Sequence, residues 1–66
     1  MNIELNGEPH THQGDGSVLS LLAEIGANKD HTALMLNGQI VPSETWGEPQ
    51  LKEGDELELM VFVGGG

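Results

Sequence analysis

Residues 17–26 read Ser-Val-Leu-Ser-Leu-Leu-Ala-Glu-Ile-Gly. Val18, Leu21, Leu22 and Ile25 stand at i, i+3, i+4 and i+7, the apolar stripe of a helix with 3.6 residues per turn. Ser17 offers an N-capping hydroxyl, and Gly26 sits just past the last apolar residue, where a left-handed C′ glycine belongs. A helix of about two and a half turns is marginal alone and needs a sheet to cover. The fold therefore turns on what flanks it.

On the N-terminal side, residues 2–6 alternate polar and apolar with Ile3 and Leu5 on one face, the period of a half-buried strand. Asn6-Gly7 is a strong hairpin signal, because both central positions of a type I′ turn need positive φ. The return strand, residues 8–13, is polar and carries Pro9, which removes a ladder donor and predicts an edge. Gly14-Asp15-Gly16 breaks it.

On the C-terminal side, residues 28–31 form a polar connection, and the apolar run 32–36 predicts a strand buried on both faces. Asn37-Gly38 repeats the tight turn, and Pro42 stops a short strand at 39–41. Residues 43–46 read as one helical turn or a loop, with Trp46 covering a core edge. Residues 48–50 look like a linker, 52–55 like a turn, and 56–63 alternate as the last strand.

Strand, strand, helix, then further strands cannot make a doubly wound sheet. They predict an α+β fold of the β-grasp, ubiquitin-like kind: a mixed four- to five-stranded sheet with one main helix on one face. The first and last strands run parallel at its centre, joined by a long crossover. Residues 1–63 form the domain, and Gly64, Gly65 and Gly66 form an expected flexible tail. Leu57, Leu59 and Val61 are assigned to the core with Ile3, Leu5, Leu21, Leu22 and Ile25. Met60 and Phe62 then make an apolar patch on the open face.

Sixty-six residues amount to one domain that buries only about 60% of its unfolded surface, which excludes a lid or a deep enclosed pocket. Two basic against eleven acidic side chains give a net charge of -9. That excludes direct nucleic-acid binding and an anionic membrane surface, and it favours a basic groove on a partner protein. The lack of cysteine removes disulfides, thiolate nucleophiles and zinc–thiolate sites, and points to a reducing cytosol. Neither an apolar run of about 20 residues nor a signal-peptide start is present.

His10 and His12 share one strand face, but two imidazoles fall short of a stable metal site, so they read first as solvated edge histidines. Glu53, Asp55, Glu56 and Glu58 lack the spacing of a calcium loop and read as a solvated or partner-facing surface. Glu56 and Glu58, leading into the strand that launches the tail, are the expected steering contacts. Ser17, Ser20 and Ser43 have no base near them in sequence and no nucleophile-elbow context.

The chain ends Val63-Gly64-Gly65-Gly66, directly after the strand placed at the sheet centre. Glycine lacks a Cβ, so such a thread enters a narrow channel in any backbone conformation. A terminal carboxylate is ionised at neutral pH and unhindered towards attack on ATP. Adenylation gives it a leaving group that a sulfur nucleophile displaces. A domain this small cannot house that chemistry, so a partner enzyme must supply it.

Ile3-Glu4-Leu5-Asn6-Gly7, then Leu36-Asn37-Gly38-Gln39-Ile40-Val41-Pro42 with Trp46, then Leu51-Lys52-Glu53-Gly54-Asp55 and Val61-Phe62-Val63-Gly64-Gly65-Gly66 follow in order. Over its whole length the chain resembles the ThiS family, the ubiquitin-like sulfur carriers of thiamine thiazole biosynthesis. The resemblance implies that Gly66 is adenylated by a ThiF-like, E1-related adenylyltransferase and becomes a thiocarboxylate. Gly64 and Gly65 would thread partner active sites, with Met60, Phe62, Glu56 and Glu58 as contact surface. Sulfur would arrive from a donor such as a cysteine desulfurase and pass to a ThiG-like thiazole synthase. The chain itself would be no enzyme and bind no cofactor, ATP being used by the partner. The alternatives are a carrier of another pathway, like the MoaD small subunit of molybdopterin synthase, or a non-covalent ubiquitin-like interaction module.

Overall fold

A computed structural model of the chain describes residues 1–62. Asn6 and Gly7 take φ of 51° and 81°, the pair of left-handed conformations that a type I′ turn requires. They fold β1 (Asn2–Leu5) back onto β2 (Glu8–Thr11). Asn37 and Gly38, at 49° and 85°, do the same between β3 (Thr32–Leu36) and β4 (Gln39–Ile40). Both asparagines also reach the last strand, β5 (Glu56–Val61). Asn6 Oδ1 accepts the Leu59 N–H at 2.7 Å, and Asn37 Oδ1 accepts the Glu56 N–H at 2.9 Å.

The sheet has five strands in the order β2-β1-β5-β3-β4. β1 and β5 pair in parallel at its centre and the other pairs are antiparallel, which is the β-grasp arrangement. The one α-helix, α1 (Val18–Ile25), begins at Ser17, whose side chain accepts the Ser20 N–H. It ends at Gly26, left-handed at φ 76°. Val18, Leu21 and Leu22 bury the helix stripe against Ile3, Leu34 and Leu57 from the sheet. Val41, Trp46 and Leu51 complete the core, and the Trp46 indole Nε1–H donates to the Val41 carbonyl at 3.0 Å.

Several expectations need correction. Val61 is 63% exposed rather than in the core, and Leu5, Leu59 and Ile25 are only partly buried. An eight-residue helix spans about 12 Å while a six-residue strand runs about 20 Å, so β5 outruns its cover. β3 is buried on one face only, Ala33 and Met35 remaining half-buried on the other, because the single helix covers one side of the sheet. β2 stops at Thr11 instead of residue 13. Residues 48–50 are no linker: the Gln50 and Leu51 N–H groups both donate to the Gly16 carbonyl, and Ser17 bridges to Pro49. Trp46 is itself core, 3% exposed.

The loop between β2 and α1 is packed as closely as the core. A Cβ on Gly14 would lie 2.6 Å from Ser20 Oγ and 2.8 Å from His12 Cε1. Gly14→Ala is therefore expected to cost about 1–3 kcal/mol, as overpacking does. Gly47→Ala meets only Leu19 Cδ1, at 3.9 Å, and should stay within about 0.5 kcal/mol. Urea unfolding midpoints of the two variants check the contrast.

Candidate functional site

Alternation along β5 sends Leu57 and Leu59 to the helix side and Glu56, Glu58 and Met60 to the open face, and Phe62 continues the series. Pairing register fills in their neighbours: Ala33 lies opposite Met60, Met35 opposite Glu58, Ile40 opposite Met35, and Glu4 opposite Glu56. The open face is thus divided. Towards the β5 C-terminus it is apolar, with Met60 and Phe62 exposed by 39% and 59%, while Ile40, 65% exposed, lies on the outer strand level with Met35 and Glu58. Towards the hairpin turns it is acidic, where Glu4, Glu56 and Glu58 line a cleft of about 350 Å³ with Met35 as its apolar wall.

Met60, Phe62, Glu56 and Glu58 are therefore brought together on one exposed surface. Gly64, Gly65 and Gly66, the expected reactive thread, lie outside the described residues. The expected run of four acids is split. Asp55 is spent on its own turn, accepting the Lys52 N–H at 2.8 Å and the Asn37 amide at 3.1 Å. Glu53 Oε1 accepts the Asn2 N–H at 2.9 Å. Glu4 takes their place, a residue that only the parallel register with β5 could have indicated.

His12 is not a solvated edge histidine. It is 3% exposed and sits at the junction of β2, the glycine loop and α1. Its Nδ1 lies 3.1 Å from Glu24 Oε1, which also binds His10 Nε2 at 2.7 Å, while Glu24 Oε2 accepts the Gln13 N–H at 2.7 Å. The Gly16 N–H donates to His12 Nε2 at 3.0 Å, which leaves Nδ1 as the nitrogen that donates to Glu24. Ser20 Oγ stands 3.3 Å from that same Nε2, a base that sequence spacing did not suggest. Ser, His and Glu line up as in a hydrolytic triad, but the lone pair that would take the serine proton is already occupied by Gly16. The Ser20 hydroxyl donates elsewhere, to the Ser17 carbonyl at 2.8 Å. The arrangement is a structural clasp. Among the described residues no group of three or more His, Asp or Glu is arranged to hold a metal ion.

A sequence model described as the ThiS family matches residues 3–66. The chain is 30% identical over its 66 residues to the sulfur carrier protein ThiS of Escherichia coli, covering all of both chains. It is 33% identical over 66 residues to the thiazole synthase of Paramagnetospirillum magneticum, of which it spans only 20%. In structure it resembles the crystal structure of the thiamine biosynthesis protein ThiS of Geobacter metallireducens, with a TM-score of 0.80, 33% identity and full coverage of both chains.

The clasp makes stability acid-sensitive. The bond from His10, followed by those from Gln13 and His12, holds the Glu24 carboxyl at about 2, below the ordinary 4.5. Asp15 is also held at about 2, by the Ser17 side chain first. A lowered folded-state value means that the unfolded chain binds more protons between the two values. The contribution is complete above about pH 4.5 and is lost as pH falls towards 2. Glu24→Gln should flatten unfolding free energy against pH in that window, leaving the smaller slope due to Asp15. A slope unchanged by the substitution would remove Glu24 from this role.

Proposed function

The chain belongs to the ThiS family, and from that premise we propose that it is a sulfur carrier of thiamine biosynthesis, adenylated and then thiocarboxylated at Gly66. The observation that carries this reading is the match to a sulfur carrier protein along the full length of both chains. It is supported by three glycines that follow, two residues on in sequence, the strand at the sheet centre. The chain is then a substrate and donor, not an enzyme. The Gly66 carboxylate attacks the α-phosphorus of ATP on an E1-like adenylyltransferase, releasing pyrophosphate. Bisulfide displaces AMP to give the thiocarboxylate directly. The persulfide of a donor such as a cysteine desulfurase displaces AMP to give an acyl disulfide instead, which a thiol then reduces to the thiocarboxylate with formation of a disulfide. The thiocarboxylate then hands its sulfur to a thiazole synthase, a partner supported by the similar stretch within thiazole synthases. ATP stays with the partner enzyme, this chain binds no cofactor, and the cycle runs in the cytoplasm. No helix among the described residues is long and apolar enough to cross a membrane.

The divided open face suits docking. Met60, Phe62, Met35 and Ile40 offer apolar surface to bury, and Glu4, Glu56 and Glu58 offer charge to a basic rim. Glu56 has Glu4 as its cross-strand neighbour, a like-charge placement that costs stability and that a basic partner group would relieve.

Incubation with an E1-like enzyme, ATP and a sulfide source should raise the intact mass by about 16 units, one oxygen exchanged for sulfur at the reactive carboxyl. Deleting Gly66 should abolish the gain and leave the fold unchanged. Full modification of the truncated chain would overturn the assignment.

Docking has its own readout. Phe62→Ala should weaken partner affinity while the melting temperature barely moves, since its ring is 59% exposed. Reversing Glu56 and Glu58 to Lys should slow association and flatten its dependence on salt up to about 0.5 M, leaving dissociation nearly unchanged. Stopped-flow rates at several ionic strengths measure both.

A further inference from the structure

The chain contains no cysteine, so its three sulfur atoms are all methionine thioethers. Thioethers are oxidised according to their exposure, and the structure separates the three. Met35 is half-buried as the apolar wall of the acidic cleft. Met1 and Met60 are each 39% exposed, but on different surfaces. Met1 Cε lies 3.7 Å from the position a Cβ would take on Gly16, so that side chain rests on the glycine loop before α1. Met60 stands on the open face, opposite Ala33, with Glu58 two residues before it and Phe62 two residues after. Of the three, Met60 alone is both exposed and part of the apolar end of that face.

We propose that Met60 is a modification site, and that oxidation of its thioether to the sulfoxide by hydrogen peroxide switches off docking at the open face. The inference rests on the docking role given to that face above. In the step, a sulfur lone pair attacks one peroxide oxygen, the O–O bond breaks and water leaves. The sulfur is oxidised and the peroxide reduced. A flexible apolar side chain becomes a polar one. In the free chain the new oxygen is hydrated on an exposed side chain, so the fold bears little of the cost. In a complex it enters an apolar contact between the Phe62 ring and the Glu58 carboxylate, neither of which donates a hydrogen bond. Its water is stripped without replacement, and the complex loses affinity. A sulfoxide reductase working with a dithiol returns the thioether, with water and a disulfide as the other products, so the switch is reversible.

The test treats the full chain with hydrogen peroxide before any sulfur is loaded, removes the peroxide, and titrates the chain against the E1-like enzyme. One added oxygen and an oxygen-to-sulfur exchange both raise the mass by about 16 units, so peptide mapping identifies the oxidised residue. Mapping should find Met1 and Met60 oxidised well before Met35. Affinity of the unsubstituted chain should fall about tenfold while its melting temperature moves by less than about 3 °C. Reductases for both sulfoxide epimers should restore the affinity. Met60→Leu removes the oxidisable sulfur and keeps apolar bulk. Peroxide should change its affinity by less than about twofold from its own untreated value, although Met1 still oxidises. Met60→Gln, a permanently polar side chain, should bind about tenfold more weakly than Met60→Leu. An equal peroxide loss in Met60→Leu, oxidation of Met60 without loss of affinity, or a loss matched by unfolding each overturns the proposal. An untreated chain that does not bind the enzyme overturns the docking role of the face instead, and the switch with it.

Discussion

The parallel pairing of β1 with β5 is the constraint on which the rest of the structure depends. Parallel neighbours cannot be joined by a tight turn, so almost the whole chain serves as the crossover between Glu4 and Glu56. The pairing is held by the Glu4 N–H on the Asp55 carbonyl at 2.9 Å and the Asn6 N–H on the Leu57 carbonyl at 2.8 Å. The two turn asparagines add side-chain bonds to the same strand. Every other pairing is antiparallel, and two of them are local hairpins. Closing this one long loop is the entropically expensive step, and it is what makes the last strand central. β1 holds the strand at Glu56 and Leu57, and β3 holds it from Leu57 to Val61, so its last residues are paired on one side.

A single helix also leaves the sheet with two unlike faces. One is dry, built from Ile3, Leu34 and Leu57 beneath Val18, Leu21 and Leu22. Over the other, the described residues place no second α-helix. That face keeps its carboxylates hydrated at one end and its exposed Met60 and Phe62 at the other. The division follows from register alone: Glu4 meets Glu56 while Ala33 meets Met60.

His12 shows how a chemically suggestive residue becomes structural. Its two nitrogens join α1 to the glycine loop, and that loop in turn holds residues 50 and 51 through the Gly16 carbonyl. Gly14 is pressed so closely against the ring that a Cβ there would lie 2.8 Å from His12 Cε1 and force a neighbour to shift. A buried imidazole with both nitrogens satisfied has no lone pair left for catalysis or metal binding.

Local periodicity and turn chemistry determined much of this protein. The stripe from Val18 to Ile25 with its Ser17 and Gly26 caps, both Asn-Gly turns, the edge strand marked by Pro9 and the exposure of Met60 and Phe62 all follow from interactions within a few residues. The resemblance to the ThiS family was likewise legible, because it rests on motifs in linear order. Only the tertiary structure decided what depends on distant partners. Leu51 entered the core and Glu48 to Gln50 became ordered because they pack on Gly16 and Ser17, more than thirty residues earlier. Val61 left the core because the helix ends before the strand does. His12 was buried by Glu24, Gly14 and Gly16, and Glu4 joined the acidic end of the open face through pairing with β5. A pattern along the chain specifies which face a residue takes on its own element. What lies opposite that face is set by pairings between segments far apart in sequence, and no local pattern encodes them.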